Sequence, residues 1–114
     1  MPIWYYRYVS NPAEVKQIVD ERKIQSLNAR SNYLTWYTPA RYGNVDQAQR
    51  ELAIPYPPTH RAGPFPETYL GNPHIPIRLA APSHGFPGGG LEMASYEVVW
   101  LVGLWNLNPG TWDL

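Results

Sequence analysis

Ile3-Trp4-Tyr5-Tyr6-Arg7-Tyr8-Val9-Ser10-Asn11-Pro12-Ala13-Glu14 is the stretch on which the fold class turns. Ile3 to Val9 is a run of β-branched and aromatic side chains and predicts a strand. Ser10 and Asn11 end it. Asn11 is a strong N-cap residue, Pro12 stands at the first helical position and Glu14 at the third. Val15, Ile18 and Val19 follow at i, i+3 and i+4, which predicts a short amphipathic helix reaching about Arg22.

Outward from there, Ile24 to Ser26 predicts a brief strand. Tyr33-Leu34-Thr35-Trp36-Tyr37 predicts another, stopped near Thr38-Pro39. Asn44 to Leu52 predicts a second helix, capped by Asn44, with Val45, Ala48 and Leu52 on one face. Ile54 to Pro66 holds five prolines, so regular structure is expected only briefly, at Thr59 to Arg61. His74 to Ala80 predicts a strand that Pro76 places at a sheet edge. Leu91 to Ala94 and Val98 to Asn106 are the last strand candidates. Val98 to Leu101 equally suits the opening of a short helix by periodicity. The order predicts one α+β domain over residues 1–114, with helices early and sheet late.

The chain has 114 residues, enough to bury roughly two-thirds of its unfolded surface without a metal or disulfide staple. Nine Lys and Arg balance nine Asp and Glu, which argues against general nucleic-acid binding. Seven of the nine basic residues are Arg, a bias that suits bidentate recognition of phosphate or carboxylate. There is no Cys, hence no disulfide, thiol nucleophile or Cys-ligated zinc. Thirteen prolines and nine glycines stay below the roughly 25–30 % that marks disorder. Five Trp, nine Tyr and two Phe can fill a core. No signal peptide is visible, and Val98 to Trp105 is far shorter than the ~20 residues of a membrane span, so a soluble chain is expected.

The sharpest local signal is Ala81-Pro82-Ser83-His84-Gly85-Phe86-Pro87-Gly88-Gly89-Gly90-Leu91-Glu92. Three consecutive glycines are entropically costly and imply unusual backbone angles or a close approach. The run delivers the chain into a strand with Glu92 near its start. The plainer alternative is a flexible loop ending in a solvated Glu. The spacing is not a dinucleotide-binding fingerprint. Arg7, flanked by Tyr6 and Tyr8, either points to water from an alternating strand or is buried to clamp a phosphate. Thr35 is an ordinary strand residue or a hydroxyl that buttresses a carboxylate. Arg41-Tyr42 precedes a helix start, where anions are favoured, and Arg61 sits in the short Pro58-Thr59-His60-Arg61 segment. His60, His74 and His84 are widely spaced, and no metal site is expected. Glu97 is the rival of Glu92.

Tyr6-Arg7-Tyr8-Val9-Ser10, the Glu-containing helix, Tyr33-Leu34-Thr35, Thr38-Pro39-Ala40-Arg41-Tyr42 and Pro58-Thr59-His60-Arg61, in that order, resemble small bacterial ADP-ribosyltransferase-like toxin domains. These are C-terminal domains of polymorphic toxins. Gly85-Phe86-Pro87-Gly88-Gly89-Gly90-Leu91-Glu92 resembles the glycine segment of related domains, including the tuberculosis necrotizing toxin type of NAD glycohydrolase. The resemblance implies two small packed sheets around an NAD cleft, with one or two short helices. It implies Glu92 opposite the ribose, Arg7 on the NAD phosphates or ribose, and Thr35 supporting the glutamate. It implies NAD as substrate, contacted by Arg7, Tyr8 and Thr35, with Tyr33, Trp36 or Tyr37 stacked on nicotinamide and Arg41 or Arg61 assisting at the phosphates.

Gly90 stands where transferases that modify arginine often carry Glu or Gln, so arginine is a less favoured acceptor. Glu92 stands where the hydrolase carries Gln, which leans toward transfer. Three readings follow: an ADP-ribosyltransferase acting on a macromolecule, an NAD glycohydrolase, and a non-enzymatic protein-binding module. The first two imply delivery as the C-terminal part of a larger secreted effector, action in the target-cell cytoplasm and a cognate immunity protein. No membrane partner is expected.

Overall fold

The computed structural model describes residues 3–25, 34–100 and 103–114. Strand β1 (Trp4–Val9) leads into helix α1 (Pro12–Glu21), and the cap is as the sequence predicts: the Asn11 side chain accepts from the Ala13 N–H. The buried stripe of α1 differs from the expected one. Glu14 and Ile18 are buried, one turn apart, while Val19 is exposed. Strands β2 (Lys23–Ile24) and β3 (Thr35–Tyr37) follow, then helix α2 (Val45–Leu52), whose Asn44 cap accepts from the Gln47 N–H.

Strand β4 (His60–Pro66) corrects the expectation for the proline-rich stretch. It is seven residues long and lies inside a four-stranded antiparallel sheet, between β1 and β8 (Leu104–Asn106), with β9 (Thr111–Trp112) at the far edge. Two prolines fit because of where they fall. Pro66 ends the strand. Gly63 and Pro64 form an irregularity between the pairs Tyr5↔Phe65 and Arg7↔Ala62, where the ladder does not need the missing N–H. Gly63 takes φ +110 there, and a Cβ on it would press into the Tyr5 carbonyl oxygen.

The extra residue is on β4, so the alternation of β1 is unbroken. Tyr5, Arg7 and Val9 share one face and Tyr6 and Tyr8 the other. Tyr5 and Val9 enter the main core with Ile18, Tyr37, Phe65 and Leu104. Tyr8 enters a second cluster with Tyr42 and Ala48 of α2.

A three-stranded antiparallel sheet has the order β3, β6 (Leu91–Ser95), β5 (Ile75–Leu79), and β5 is an edge strand as Pro76 predicts. Strand β7 (Val99–Trp100) pairs with β2 in a separate two-stranded ladder, so Val98 to Leu101 does not open a helix at Val99 and Trp100. The result is an α+β fold with two helices and, among the described residues, three small antiparallel sheets instead of two. The larger two meet through one bridge, Tyr6↔Thr38, closed by hydrogen bonds of 2.8 and 2.9 Å.

Candidate functional site

A cleft of about 450 Å³ lies at this junction. Tyr6, Arg7 and Tyr8 of β1 line one side; Trp36, Tyr37 and Thr38 line the next; Arg78 of β5 and Glu92 of β6 line the third. The end of α2 and the Ser83-His84 turn close the rim. The volume lies in the range of small-molecule sites.

Strand parity selects the residues. The register pairs Trp36↔Ala94 and Arg78↔Glu92 put Trp36, Glu92 and Arg78 on one face of the three-stranded sheet. Thr35 and Tyr37 fall on the opposite, core face. Thr35 is buried opposite Ser95 and does not line the cleft, which corrects its expected place beside the glutamate. Tyr37 borders the cleft, but its ring packs edge-on against Phe65 at 5.4 Å in the core and is not free to stack on a ligand. Burial pushes the Tyr37 phenol pKa up, with Arg7 pulling the other way. Tyr33 lies outside the described residues.

Arg7 is neither solvated nor an open clamp. It is on the core-facing side of β1, and α1 supplies its counter-charge. Its Nε donates to Glu14 Oε1 at 2.5 Å, Nη2 donates to Oε2 at 2.9 Å, and Nη1 donates to the Trp36 carbonyl at 3.0 Å. Burial works against the guanidinium charge and Glu14 favours it more strongly, so the net direction of its pKa is upward. Tyr8 lines the cleft, and its hydroxyl oxygen accepts from the Tyr42 N–H at 2.7 Å. Burial raises the Tyr8 pKa above its ordinary value.

Arg41 is exposed and does not line the cleft. It precedes the N-terminal end of α2, and the end that reaches the cleft is the C-terminal one, at Leu52 and Ala53. That end carries partial negative charge and favours cations. Arg61 is also removed from the cleft. It is buried with its guanidinium over the Tyr6 ring at 5.3 Å and the Trp105 ring at 5.9 Å, a packing role.

The glycine run is structural. The Gly88 and Gly90 N–H groups donate to the Arg50 and Glu51 carbonyls at 3.0 and 2.9 Å, and Gly89 N–H donates to the Ala80 carbonyl at 2.8 Å. The first two bonds satisfy carbonyls in the last turn of α2. Gly88, at φ +70, has no room for a Cβ against the Ala80 carbonyl, and Gly90 has none against Tyr42 and Glu51. The close approaches that the sequence predicts are therefore to the Ala80–Ala81 backbone at Gly88 and to Tyr42 and α2 at Gly90, two residues before Glu92.

Glu92 accepts from Arg78 Nε at 3.1 Å, and its side chain is 15 % exposed. Glu97 is exposed and lies outside the cleft lining. Arg78 and His84 are the residues that sequence reasoning missed. Arg78 stands in the strand read at His74 to Ala80, but its pairing with Glu92 is a matter of register. His84, at φ +55, places Nδ1 3.0 Å from Ser83 Oγ and 3.2 Å from the Ala53 carbonyl oxygen. Among the described residues no group of three or more His, Asp or Glu is placed to hold a metal ion, and no helix is long and apolar enough to cross a membrane. No protein-family model, no curated protein and no solved structure matches this chain.

Proposed function

We propose that this chain is an NAD-consuming enzyme of the ADP-ribosyltransferase-like kind, which splits the nicotinamide–ribose bond and transfers ADP-ribose to a macromolecule. The observation that carries the reading is that Arg7 and Glu92, from the two ends of the chain, line one cleft together with Tyr6, Tyr8 and Trp36. The resemblance named this arginine and this glutamate independently of any geometry.

In this reading the C1′–N bond breaks and its electron pair leaves with neutral nicotinamide. The ribose becomes oxocarbenium-like, and the Glu92 carboxylate stabilises that charge. An acceptor hydroxyl or amine then forms the new bond at C1′ and gives up its proton. The Arg7 contribution is bounded by Glu14: three of its five N–H groups are engaged among the described residues, and two are left for a ligand. Thr35 keeps a supporting role beneath β3 only.

Hydrolysis, with water as the acceptor, is the second reading. Gly90 favours it: the residue two before Glu92 is buried against α2 and offers no side chain to orient an acceptor. Either reading makes the domain a toxin delivered by a larger effector, with an immunity protein seated over the cleft.

The test is nicotinamide release from NAD by the purified chain, alone and with a cell lysate, beside transfer of labelled ADP-ribose. Release that needs Glu92 supports the enzyme, and label on a lysate component makes it a transferase. Release without label makes it a glycohydrolase. No release and no NAD-induced thermal shift would leave the non-enzymatic binding module.

A further inference from the structure

We propose that Arg78 is the specificity-determining residue of the cleft: it takes the anionic group of the ligand and, in doing so, releases Glu92. The proposal rests on the NAD reading for its substrate, and on geometry for the residue.

Among the described residues two arginines line the cleft, and each is paired with a carboxylate. The two pairs differ in strength. The Arg7–Glu14 side chains are 18 % and 7 % exposed and joined by two hydrogen bonds. Breaking such a pair strands a buried charge. The Arg78 side chain is 51 % exposed and is joined to Glu92 through one hydrogen bond. The arginine end of this pair is half exposed and held by one bond, so Arg78 exchanges partners readily while Glu92 stays in the cleft wall. An incoming phosphate therefore displaces Arg78 from Glu92 and leaves Arg7 where it is.

The surroundings of Arg78 suit this exchange. Its guanidinium lies over the Trp36 ring at 5.0 Å, on the sheet face that carries Glu92. The ring supports the cation whichever acceptor it binds. The diphosphate of a dinucleotide offers bidentate, charge-assisted acceptors that a lone carboxylate oxygen does not match. Once Arg78 has moved, Glu92 faces the ribose without a competing cation at its oxygen. A nucleoside without phosphate leaves the pair closed, so the cleft discriminates by charge before chemistry starts.

The experiment compares nicotinamide release from NAD and from nicotinamide riboside, which has no phosphate, by the wild type, R78K and R78Q. Binding of inorganic pyrophosphate is followed in parallel by thermal protection. The expected result is that R78Q lowers the ratio of the two kcat/KM values about tenfold or more, through KM for NAD, and weakens pyrophosphate binding by a similar factor. R78K restores part of both. An R78Q variant that loses activity on both substrates alike, with the ratio and pyrophosphate binding unchanged, would show a merely structural residue and overturn the proposal. A wild type that releases nicotinamide from neither substrate overturns the NAD reading instead. In that case pyrophosphate protection that needs Arg78 still supports the anion site, and protection indifferent to R78Q sinks it.

Discussion

The Arg7 guanidinium and the Glu14 carboxylate face each other through two hydrogen bonds, Nε to Oε1 and Nη2 to Oε2, and so fasten helix α1 to strand β1. Removing one partner leaves the other charged and buried. Arg7→Ala is expected to cost about 3 kcal/mol of folding stability. Replacing both residues by apolar ones, as in R7M/E14L, is expected to recover most of it. Urea unfolding of the two singles and the double decides. A double variant no more stable than R7A would mean that the pair is not the cause. Loss of activity in R7A is interpretable only beside its stability, and R7K is the better probe of ligand contact.

Glycines that look alike in sequence are predicted to differ sharply. Gly88→Ala meets the Ala80 and Ala81 carbonyls and is expected to cost about 3 kcal/mol. Gly89→Ala has open space and pays only for its φ of +93, about 1 kcal/mol. Gly43→Ala has open space too, without a strained angle, and should stabilise slightly. Thermal or denaturant unfolding of the three alanine variants gives the order directly. Equal costs at Gly88 and Gly89 would mean that the run does not press against the Ala80–Ala81 backbone.

Only one of the two candidate glutamates lines the cleft. Glu92→Gln is expected to lower nicotinamide release about a hundredfold or more, because the electrostatic partner of the developing charge is lost. Glu97→Gln, at an exposed position, should stay within about twofold of the wild type. Steady-state rates on NAD check both. The reverse order would move the site away from β6.

The raised pKa values of buried phenols predict a loss of stability at alkaline pH. Burial, with Glu51 and Tyr8 adding, pushes Tyr42 from 10.0 up to about 12, and burial raises Tyr37 as well. A pKa raised in the folded state means that the native state prefers the neutral phenol. This contribution is therefore complete below about pH 10 and is lost as pH rises through about 12. Unfolding followed by circular dichroism should show that loss, and Tyr42→Phe should move the transition to higher pH. An unchanged alkaline midpoint in Y42F would refute the assignment.

The elements were mostly legible because their signals are local. Asn11-Pro12 and Asn44 mark both helix starts, and Pro76 marks an edge strand. Strand β4 was hidden by Pro64 and Pro66, since a list of prolines does not say that one falls at an irregularity and one at a strand end. The site was half legible. Period-two alternation forbids Thr35 and Trp36 from facing the same side, and the sequence alone does not say which of them faces the cleft.

By itself, then, the sequence determined the two helices with their caps and most of the strands, because capping, turn formation and alternation act over a few neighbours. The tertiary structure alone decided that Glu14 would neutralise Arg7, that Arg78 would meet Glu92, and that the glycine run would close α2. These are contacts between distant segments, set by sheet register and by the requirement that buried charges and helix-end carbonyls find partners.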